Sequence, residues 1–130
     1  MPLIKISATQ SHLTREVVAG LQSETTALMA KVLNKRPEVT VVQICPVDDR
    51  LWATGGTSNA SEPMAHLEAY VTADTNTADE KAAFIEAAHA MLQKHLMGPV
   101  SPGYVLIKEV PAQDWGFDGR TQAARRLSAI

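Results

Sequence analysis

Pro2 is the residue of this sequence with the clearest capacity for chemistry. Removal of Met1, the processing expected in the cytoplasm before a small second residue, would leave the proline nitrogen as a free secondary amine. An α-amino group has a pKa of about 7.7–8.0, and burial of its charged form in an apolar pocket lowers that pKa. Such an amine can accept and return protons near neutral pH, as a general base must. If Met1 is retained, the same nitrogen is an amide without basicity.

The residues after Pro2 predict a strand that would hold the amine in place, followed by a helix capped by Thr14 and ended by Asn34. A second helix is predicted to start at the capping box of Thr77 and Glu80. The apolar periodicity predicts these elements in order: strand 3–8, helix 15–34, strand 39–45, strand 67–72, a helix ended by Gly98-Pro99, and strand 104–110.

The order of elements repeats, and three landmarks recur at one spacing of 63 residues: Thr14 with Thr77, Trp52 with Trp115, and Gly56 with Gly119. A shared spacing in the same order of elements indicates a tandem duplication of a β-α-β unit. We divide the single domain into unit one (2–57), a connector (58–64), unit two (65–120) and a basic, helical tail (121–130), which we expect to be peripheral.

Two such units predict an α+β fold with a four-stranded mixed sheet and both helices on one face. The other face would be bare. Because the run Val39 to Cys45 is apolar on both sides, we expect the bare faces to meet in a homo-oligomer.

Composition narrows the classes of function. A net charge of −2 with interspersed signs offers no field for nucleic acid. No run approaches the roughly 18 apolar residues of a membrane span, so we expect a cytoplasmic protein with a small-molecule substrate. Cys45 fits a core position in a reducing compartment. His89 and His95 lie on different faces of their helix, so they do not form a pair of metal ligands. We predict neither a metal nor another cofactor.

With these features in place, the chain resembles the tautomerase superfamily of 4-oxalocrotonate tautomerase and macrophage migration inhibitory factor, in a form with two units fused head to tail. The resemblance covers Pro2 to about Arg126. Its motifs are Pro2-Leu3-Ile4-Lys5-Ile6, Trp52-Ala53-Thr54-Gly55-Gly56, Thr77-Ala78-Asp79-Glu80-Lys81, Val105-Leu106-Ile107-Lys108-Glu109-Val110 and Trp115-Gly116-Phe117-Asp118-Gly119.

The resemblance implies a β-α-β homotrimer in which the amino-terminal proline moves a proton beside a carbonyl. Only unit one can carry this chemistry, because the counterpart of Pro2 in unit two is Ala65 or His66, inside the chain. The family's two carboxylate-binding arginines are missing. In this sequence the positions that align with those two arginines are His12 and a residue near Val41 in unit one, and residues near Asn76 and Tyr104 in unit two. Possible substitutes, which also fit solvated surface positions, are Arg15, Arg50 and Arg120.

We therefore predict a tautomerase that interconverts keto and enol forms of a small oxo-acid, with Pro2 as the base. Trp115 resembles the family's aromatic wall beside the proline, and Tyr104 or His12 would donate a hydrogen bond to the enolate. Each of these three side chains also fits an ordinary packing or surface role. Two other functions remain open: decarboxylation or hydration of a small oxo-acid, and ligand binding without turnover, which the missing arginines favour.

Overall fold

The computed structural model of the chain describes residues 2–59 and 61–128. Its elements are β1 (Leu3–Thr9), α1 (Arg15–Leu33), β2 (Val41–Val47), β3 (Ala65–Thr72), α2 (Ala78–Leu96), β4 (Tyr104–Val110), β5 (Gly116–Phe117), β6 (Arg120–Thr121) and α3 (Gln122–Ser128). Short 3-10 turns occupy 10–12, 37–39 and 49–51. The prediction of an α+β fold with a four-stranded mixed sheet and two main helices is confirmed.

The sheet has the strand order β2-β1-β3-β4. Within each unit the two strands are parallel, as a β-α-β crossover requires, and the units join through the antiparallel pair β1 and β3. Leu3 faces Val41 on one side and Tyr70 on the other, which fixes the register around the start of the chain.

The caps predicted from the sequence form as expected. Thr14 accepts a hydrogen bond from the backbone N–H of Val17 (3.2 Å), and Thr77 and Glu80 make the reciprocal capping box at the start of α2. Helix α1 ends at Asn34 in the left-handed conformation (φ 60°, ψ 38°), and α2 ends in the same way at Met97 (φ 56°, ψ 48°).

The elements of the two units correspond at an offset of 63 residues. Each main helix has 19 residues, and β4 begins and ends 63 positions after β2. Gly56 and Gly119 both have φ 81°, a value that favours glycine, and the bridge of Thr54 with Thr57 corresponds to that of Phe117 with Arg120. The structure therefore contains two copies of one β-α-β unit.

Both main helices cover one face of the sheet. Alternate residues of the central strands point into this layer and are 0% exposed: Ile4, Ile6, Ala8, Ala65, Leu67 and Ala69. Leu21 and Met29 from α1 and Phe84 and Leu92 from α2 meet them. Among the described residues, no helix is long and apolar enough to cross a membrane.

The bare face of the sheet is more polar than the sequence indicated. Lys108 of the edge strand β4 pairs with Glu68 of β3 (Nζ to Oε1, 2.8 Å), and Lys5 and Lys108 lie 5.8 and 5.3 Å from the centre of the Tyr70 ring. The large exposed apolar side chains Val41, Tyr104 and Leu106 also lie in the edge strands. Strand β2 also starts two residues later than predicted, because Pro37 begins a 3-10 turn.

Candidate active site beside Pro2

Pro2 lies immediately before β1 and is buried. Its carbonyl oxygen accepts a hydrogen bond from the backbone N–H of Val41 (3.3 Å), which ties it to the start of β2. The next residue, Leu3, faces Tyr70 near the end of β3. The proline therefore lies at the edge of the sheet where β2 begins and β3 ends.

Trp115 lies at the same edge. Its indole N–H donates a hydrogen bond to Thr72 Oγ1 (3.2 Å), and the ring is half-buried. Thr72 is the last residue of β3, two positions after Tyr70, which faces Leu3. The structure therefore brings Trp115 and Pro2, two of the residues predicted for the site, to one end of the sheet.

A cavity of about 480 Å³ opens at this edge, between the α1–β2 connection and the C-terminal segment. Thr72, Val39 and Phe117 contribute to its walls. Five of the chain's 12 lysines and arginines line it: Lys35, Arg36, Arg120, Arg125 and Arg126. No carboxylate is found among its described lining residues. Although the chain has a net charge of −2, the lining of this cavity is positively charged. A positively charged cavity favours an anionic ligand.

Lys35 is joined to the wall of this cavity by hydrogen bonds. Its Nζ donates to Thr75 Oγ1 (2.8 Å), and that hydroxyl donates to the carbonyl oxygen of Thr72 (2.6 Å). Burial lowers the pKa of the Lys35 ammonium below its ordinary value, and the charge of Glu80 acts in the opposite direction. A partly desolvated ammonium gains more from an anion than one in water.

Arg125 forms the opposite wall, on the C-terminal helix α3. Its guanidinium carbon lies 3.6 Å from the centre of the Phe117 ring, and one Nη donates to the carbonyl oxygen of Phe117 (2.9 Å). Among the described residues, nothing accepts a hydrogen bond from its buried Nε. Buried guanidinium nitrogens nearly always have an acceptor, so this Nε is an exception within the described part of the chain.

His12 and Tyr104 lie at the other end of the sheet from Pro2. His12 follows β1 and contacts Thr9 (Nδ1 to Oγ1, 3.0 Å), while Tyr104 begins β4 opposite His66, which in turn faces Ser7. A seven-residue strand spans roughly 23 Å. Within one chain these two residues therefore do not reach Pro2, and a second copy would have to supply them.

That other end holds a smaller cavity, of about 210 Å³, which is the duplicate of the first. Trp52 lines it and lies 5.6 Å from the His66 ring, centre to centre. Thr57, Asn59 and Glu62 of this cavity lie 63 positions before Arg120, Gln122 and Arg125 of the Pro2 cavity. At the position of Pro2 the second unit has Ala65, buried inside β3.

Sequence reasoning missed most of the cations beside Pro2. It named Arg120 as a candidate but also Arg15 and Arg50, which are not among the residues that line the cavity. The available signal was the duplication itself: the counterparts of Lys35, Arg36, Arg125 and Arg126 are Gly98, Pro99, Glu62 and Pro63, none of them cationic. Across residues 2–59 and 61–128, no group of three or more His, Cys, Asp or Glu side chains is arranged to hold a metal ion.

Comparison with known proteins finds a family model that matches part of the chain. The family described as "Tautomerase enzyme" matches residues 66–125. No curated protein sequence matches the chain.

Solved structures match nearly the whole chain. The wild-type F6 fused 4-OT, an asymmetric trimer, is 22% identical over 95% of this chain and 98% of its own, with a TM-score of 0.83. Pt0534 inactivated by 2-oxo-3-pentynoate is 18% identical over the same shares, with a TM-score of 0.85. A macrophage migration inhibitory factor-like protein from Entamoeba histolytica is 15% identical over 92% and 97%, with a TM-score of 0.77. Likeness at these identities establishes the fold.

Proposed function

We propose that the chain, which matches the family described as "Tautomerase enzyme" over residues 66–125, interconverts the keto and enol forms of a small oxo-acid, with the Pro2 nitrogen as the base. The proposal requires that Met1 is removed, so that this nitrogen is a free amine. The observation that carries it is a shared edge of the sheet: Pro2 immediately precedes β1 at the end where Thr72, the last residue of β3, lines a cavity rich in cations. An oxo-acid brings both an acidic C–H bond for the amine and a carboxylate for the cations.

The proton transfers balance within the site. Neutral Pro2 nitrogen takes a proton from the carbon next to the carbonyl, and the electron pair of that C–H bond moves onto the carbonyl oxygen to form an enolate. The protonated amine then gives its proton to that oxygen, or to a carbon further along a conjugated chain. Positive charge in the cavity stabilises the enolate and holds the carboxylate. Trp115 adds an apolar wall, which favours the neutral amine.

We propose a homotrimer as the working assembly. The F6 and Q0 fused 4-OT structures are trimers, and their fold is the fold of this chain. If copies of the chain meet through their bare sheet faces, the end of the sheet that holds His12 and Tyr104 in one copy would lie near Pro2 of another. In that assembly His12 or Tyr104 of the neighbouring copy would be the donor that acts on the enolate.

Substitution of Pro2 tests the proposal. Pro2→Ala keeps an amino terminus but changes the basicity and placement of its nitrogen, so we expect turnover of phenylenolpyruvate to fall by about 10²-fold or more, the usual contribution of a general base. Intact mass must first show that Met1 is absent from both proteins. Turnover that is unchanged in a correctly processed Pro2→Ala protein would contradict the mechanism.

Product analysis separates this function from its nearest alternative. Decarboxylation or hydration of an oxo-acid would use the same amine and the same cations, but it changes the carbon or oxygen count of the product. Incubation with a panel of 2-oxo acids, followed by mass analysis of the products, should return isomers of the same mass. A loss of CO₂ or a gain of water would assign the other chemistry.

A further inference from the structure

A polar cluster lies at the end of the sheet away from Pro2. Its members are Thr9 at the end of β1, Ser11 and His12 in the turn that follows, and Asp49 in the turn after β2. Asp49 accepts two hydrogen bonds from Ser11, one from the backbone N–H (3.0 Å, to Oδ1) and one from the hydroxyl (2.5 Å, to Oδ2). The hydroxyl oxygens of Ser11 and Thr9 lie 3.3 and 3.0 Å from Nδ1 of His12. Two connections of the fold therefore meet at one imidazole nitrogen.

The second unit does not repeat this cluster. Only the threonine at the strand end recurs at the offset of 63 residues, as Thr72, and its hydroxyl accepts a hydrogen bond from Trp115 instead. The other three positions of the cluster correspond to Asp74, Thr75 and Ala112. Because both units build the same β-α-β fold, the fold does not require the contact between serine, histidine and aspartate.

The hydrogen atoms available to the cluster identify which nitrogen of His12 carries the proton. The side-chain and backbone hydrogen bonds from Ser11 lower the pKa of the Asp49 carboxyl below its ordinary value, so this carboxylate only accepts. The single hydroxyl hydrogen of Ser11 is therefore used on Asp49. Its oxygen can then only accept from His12, which requires a hydrogen on Nδ1.

Thr9 is consistent with the same tautomer. Its hydroxyl oxygen accepts from the backbone N–H of Met64 (3.1 Å), and its hydrogen is directed to the carbonyl oxygen of Met64 (3.4 Å). With the proton on Nδ1, His12 donates to both hydroxyl oxygens and every hydrogen of the cluster has an acceptor. With the proton on Nε2 instead, no hydrogen would lie between Ser11 and Nδ1.

A proton fixed on Nδ1 decides what the other nitrogen can do. Within the described part of the chain Nε2 of His12 makes no hydrogen bond, so it is available to a ligand. The imidazolium donates a hydrogen bond from Nε2, and neutral His12 accepts one there. Where a carboxylate orients a functional imidazole from its Nδ1 side, loss of the correct tautomer lowers the rate by orders of magnitude.

We propose that Ser11 and Asp49 are positioning residues that hold His12 in the Nδ1–H tautomer, so that Nε2 is the atom that hydrogen-bonds to the oxygen of the bound ligand. The tautomer is a property of one chain. The contact with the ligand rests on the proposed function, in which His12 of a neighbouring copy acts on the enolate. From Nε2 the imidazolium donates to an enolate oxygen, and neutral His12 accepts from an enol hydroxyl.

¹⁵N NMR of the full chain, labelled at histidine, measures the tautomer directly. The spectra are recorded at a pH at which the imidazoles are neutral, and the signals that disappear in His12→Gln belong to His12. We expect the protonated nitrogen of His12 to be Nδ1. A wild-type protein with the proton on Nε2 would overturn the proposal.

Asp49→Asn should reverse the tautomer. The amide oxygen keeps the hydrogen bond from the backbone N–H of Ser11, so the amide NH₂ faces the Ser11 hydroxyl and donates to it. The hydroxyl hydrogen of Ser11 is then released toward Nδ1, and we expect the proton of His12 to move to Nε2. A tautomer that Asp49→Asn leaves unchanged would overturn the proposal.

Asp48→Asn is the matched control. The carboxylate of Asp48 accepts from the backbone N–H of Arg50 (2.9 Å) and pairs with its guanidinium, and asparagine can keep the first of these contacts. The His12 tautomer and the turnover of this variant should match those of the wild type. A change of tautomer as large as that in Asp49→Asn would assign the effect to charge in the turn and overturn the proposal.

Turnover of phenylenolpyruvate separates a positioning role from a structural one. We expect Asp49→Asn and His12→Gln each to lower kcat by at least about tenfold. The double variant should lose no more than His12→Gln alone, because Asp49 acts through His12. Losses that multiply in the double variant, or full turnover in an Asp49→Asn protein whose tautomer has changed, would contradict the positioning role.

Failure of this proposal is distinguishable from failure of the proposed function, because the NMR measurement needs no turnover. If Pro2→Ala retains turnover while the His12 tautomer depends on Asp49, the base is contradicted and the tautomer assignment stands. If turnover depends on Pro2 while the tautomer is independent of Asp49, only the present inference fails.

Discussion

At the scale of single residues, the sequence named Pro2 and Trp115 as candidates, which lie at one end of the sheet, but it named only one of the five cations that line the cavity there. Pro2 and Trp115 followed from a motif at the start of the chain and from a duplicated Trp-Gly turn. Lys35 and Arg125 are 90 positions apart, and no local pattern links them; only the fold brings α3 to the α1–β2 connection. His12 and Tyr104 lie at the far end of the sheet, because His12 follows the end of β1 and β4 begins at that same end: β3 is antiparallel to β1 and parallel to β4.

The lowered pKa of Lys35 has a consequence for stability that can be measured. Burial disfavours the charged ammonium in the folded chain, so between the folded pKa and the ordinary value of 10.5 the unfolded chain binds more protons. The charge therefore costs stability at neutral pH, and this cost disappears as the pH rises through that window. We expect Lys35→Met to unfold at higher urea concentration than wild type at pH 7, and the difference to narrow at pH 10. A variant that is less stable at pH 7, with a deficit that does not change with pH, would contradict this.

At the scale of elements, agreement between sequence and structure is best where local signals decide. Both main helices start at their predicted caps, since a threonine that accepts from the N2 or N3 amide fixes the first turn regardless of tertiary context. The start of β2 was wrong by two residues because Pro37 at the head of a 3-10 turn delays the strand. The tail was predicted to be helical, and α3 forms; the structure places it at the cavity beside Pro2.

The contact between the two main helices gives a prediction at this scale. A Cβ added at Gly20 would lie 2.6 Å from Nδ1 of His95, whose Nε2 contacts Glu24 Oε1 at 2.9 Å. Alanine is favoured over glycine inside a helix by about 1 kcal/mol, but overpacking costs about 1–3 kcal/mol. We expect Gly20→Ala to lower the free energy of unfolding by about 1 kcal/mol, measured by urea denaturation.

The double variant Gly20→Ala/His95→Ala is the control for this steric reading. With the imidazole removed, the added methyl group has space, and alanine at position 20 should then stabilise the helix relative to glycine in the same His95→Ala background. If Gly20→Ala is equally destabilising in both backgrounds, His95 is not the cause.

At the scale of the whole molecule, the face of the sheet opposite the helices is the surface that we propose for contact with further copies of the chain. The sheet has helices on one face only, and its bare face carries Val41, Tyr104 and Leu106 at 56, 66 and 38% exposure in the edge strands. The sequence analysis inferred contact through this face from the apolar run Val39 to Cys45; the structure adds the charged side chains Lys5, Glu68 and Lys108 on β1, β3 and β4. A face of that composition suits a polar, specific interface better than a continuous apolar one.

A matched pair of substitutions tests the proposed trimer. Leu106 on the bare sheet face and Ile85 on the outer side of α2 are exposed to nearly the same extent, 38 and 40%. Leu106→Glu would place a charge in the interface, and we expect light scattering to show a loss of the species at three times the 14.0 kDa of one chain. Ile85→Glu should leave that species intact. Dissociation by Ile85→Glu and not by Leu106→Glu would place the interface on the helical face instead.

The central claim concerns the Pro2 nitrogen, and titration of that atom tests it most directly. Protein labelled with ¹⁵N at proline can be followed by NMR from pH 4 to pH 11, with intact mass recorded on the same sample. The account predicts one titrating secondary amine, with a pKa below that of the same nitrogen in an unfolded peptide beginning Pro-Leu-Ile, because burial beside Trp115 disfavours its charge. An amide signal that does not titrate, or a pKa equal to that of the peptide, would contradict the account.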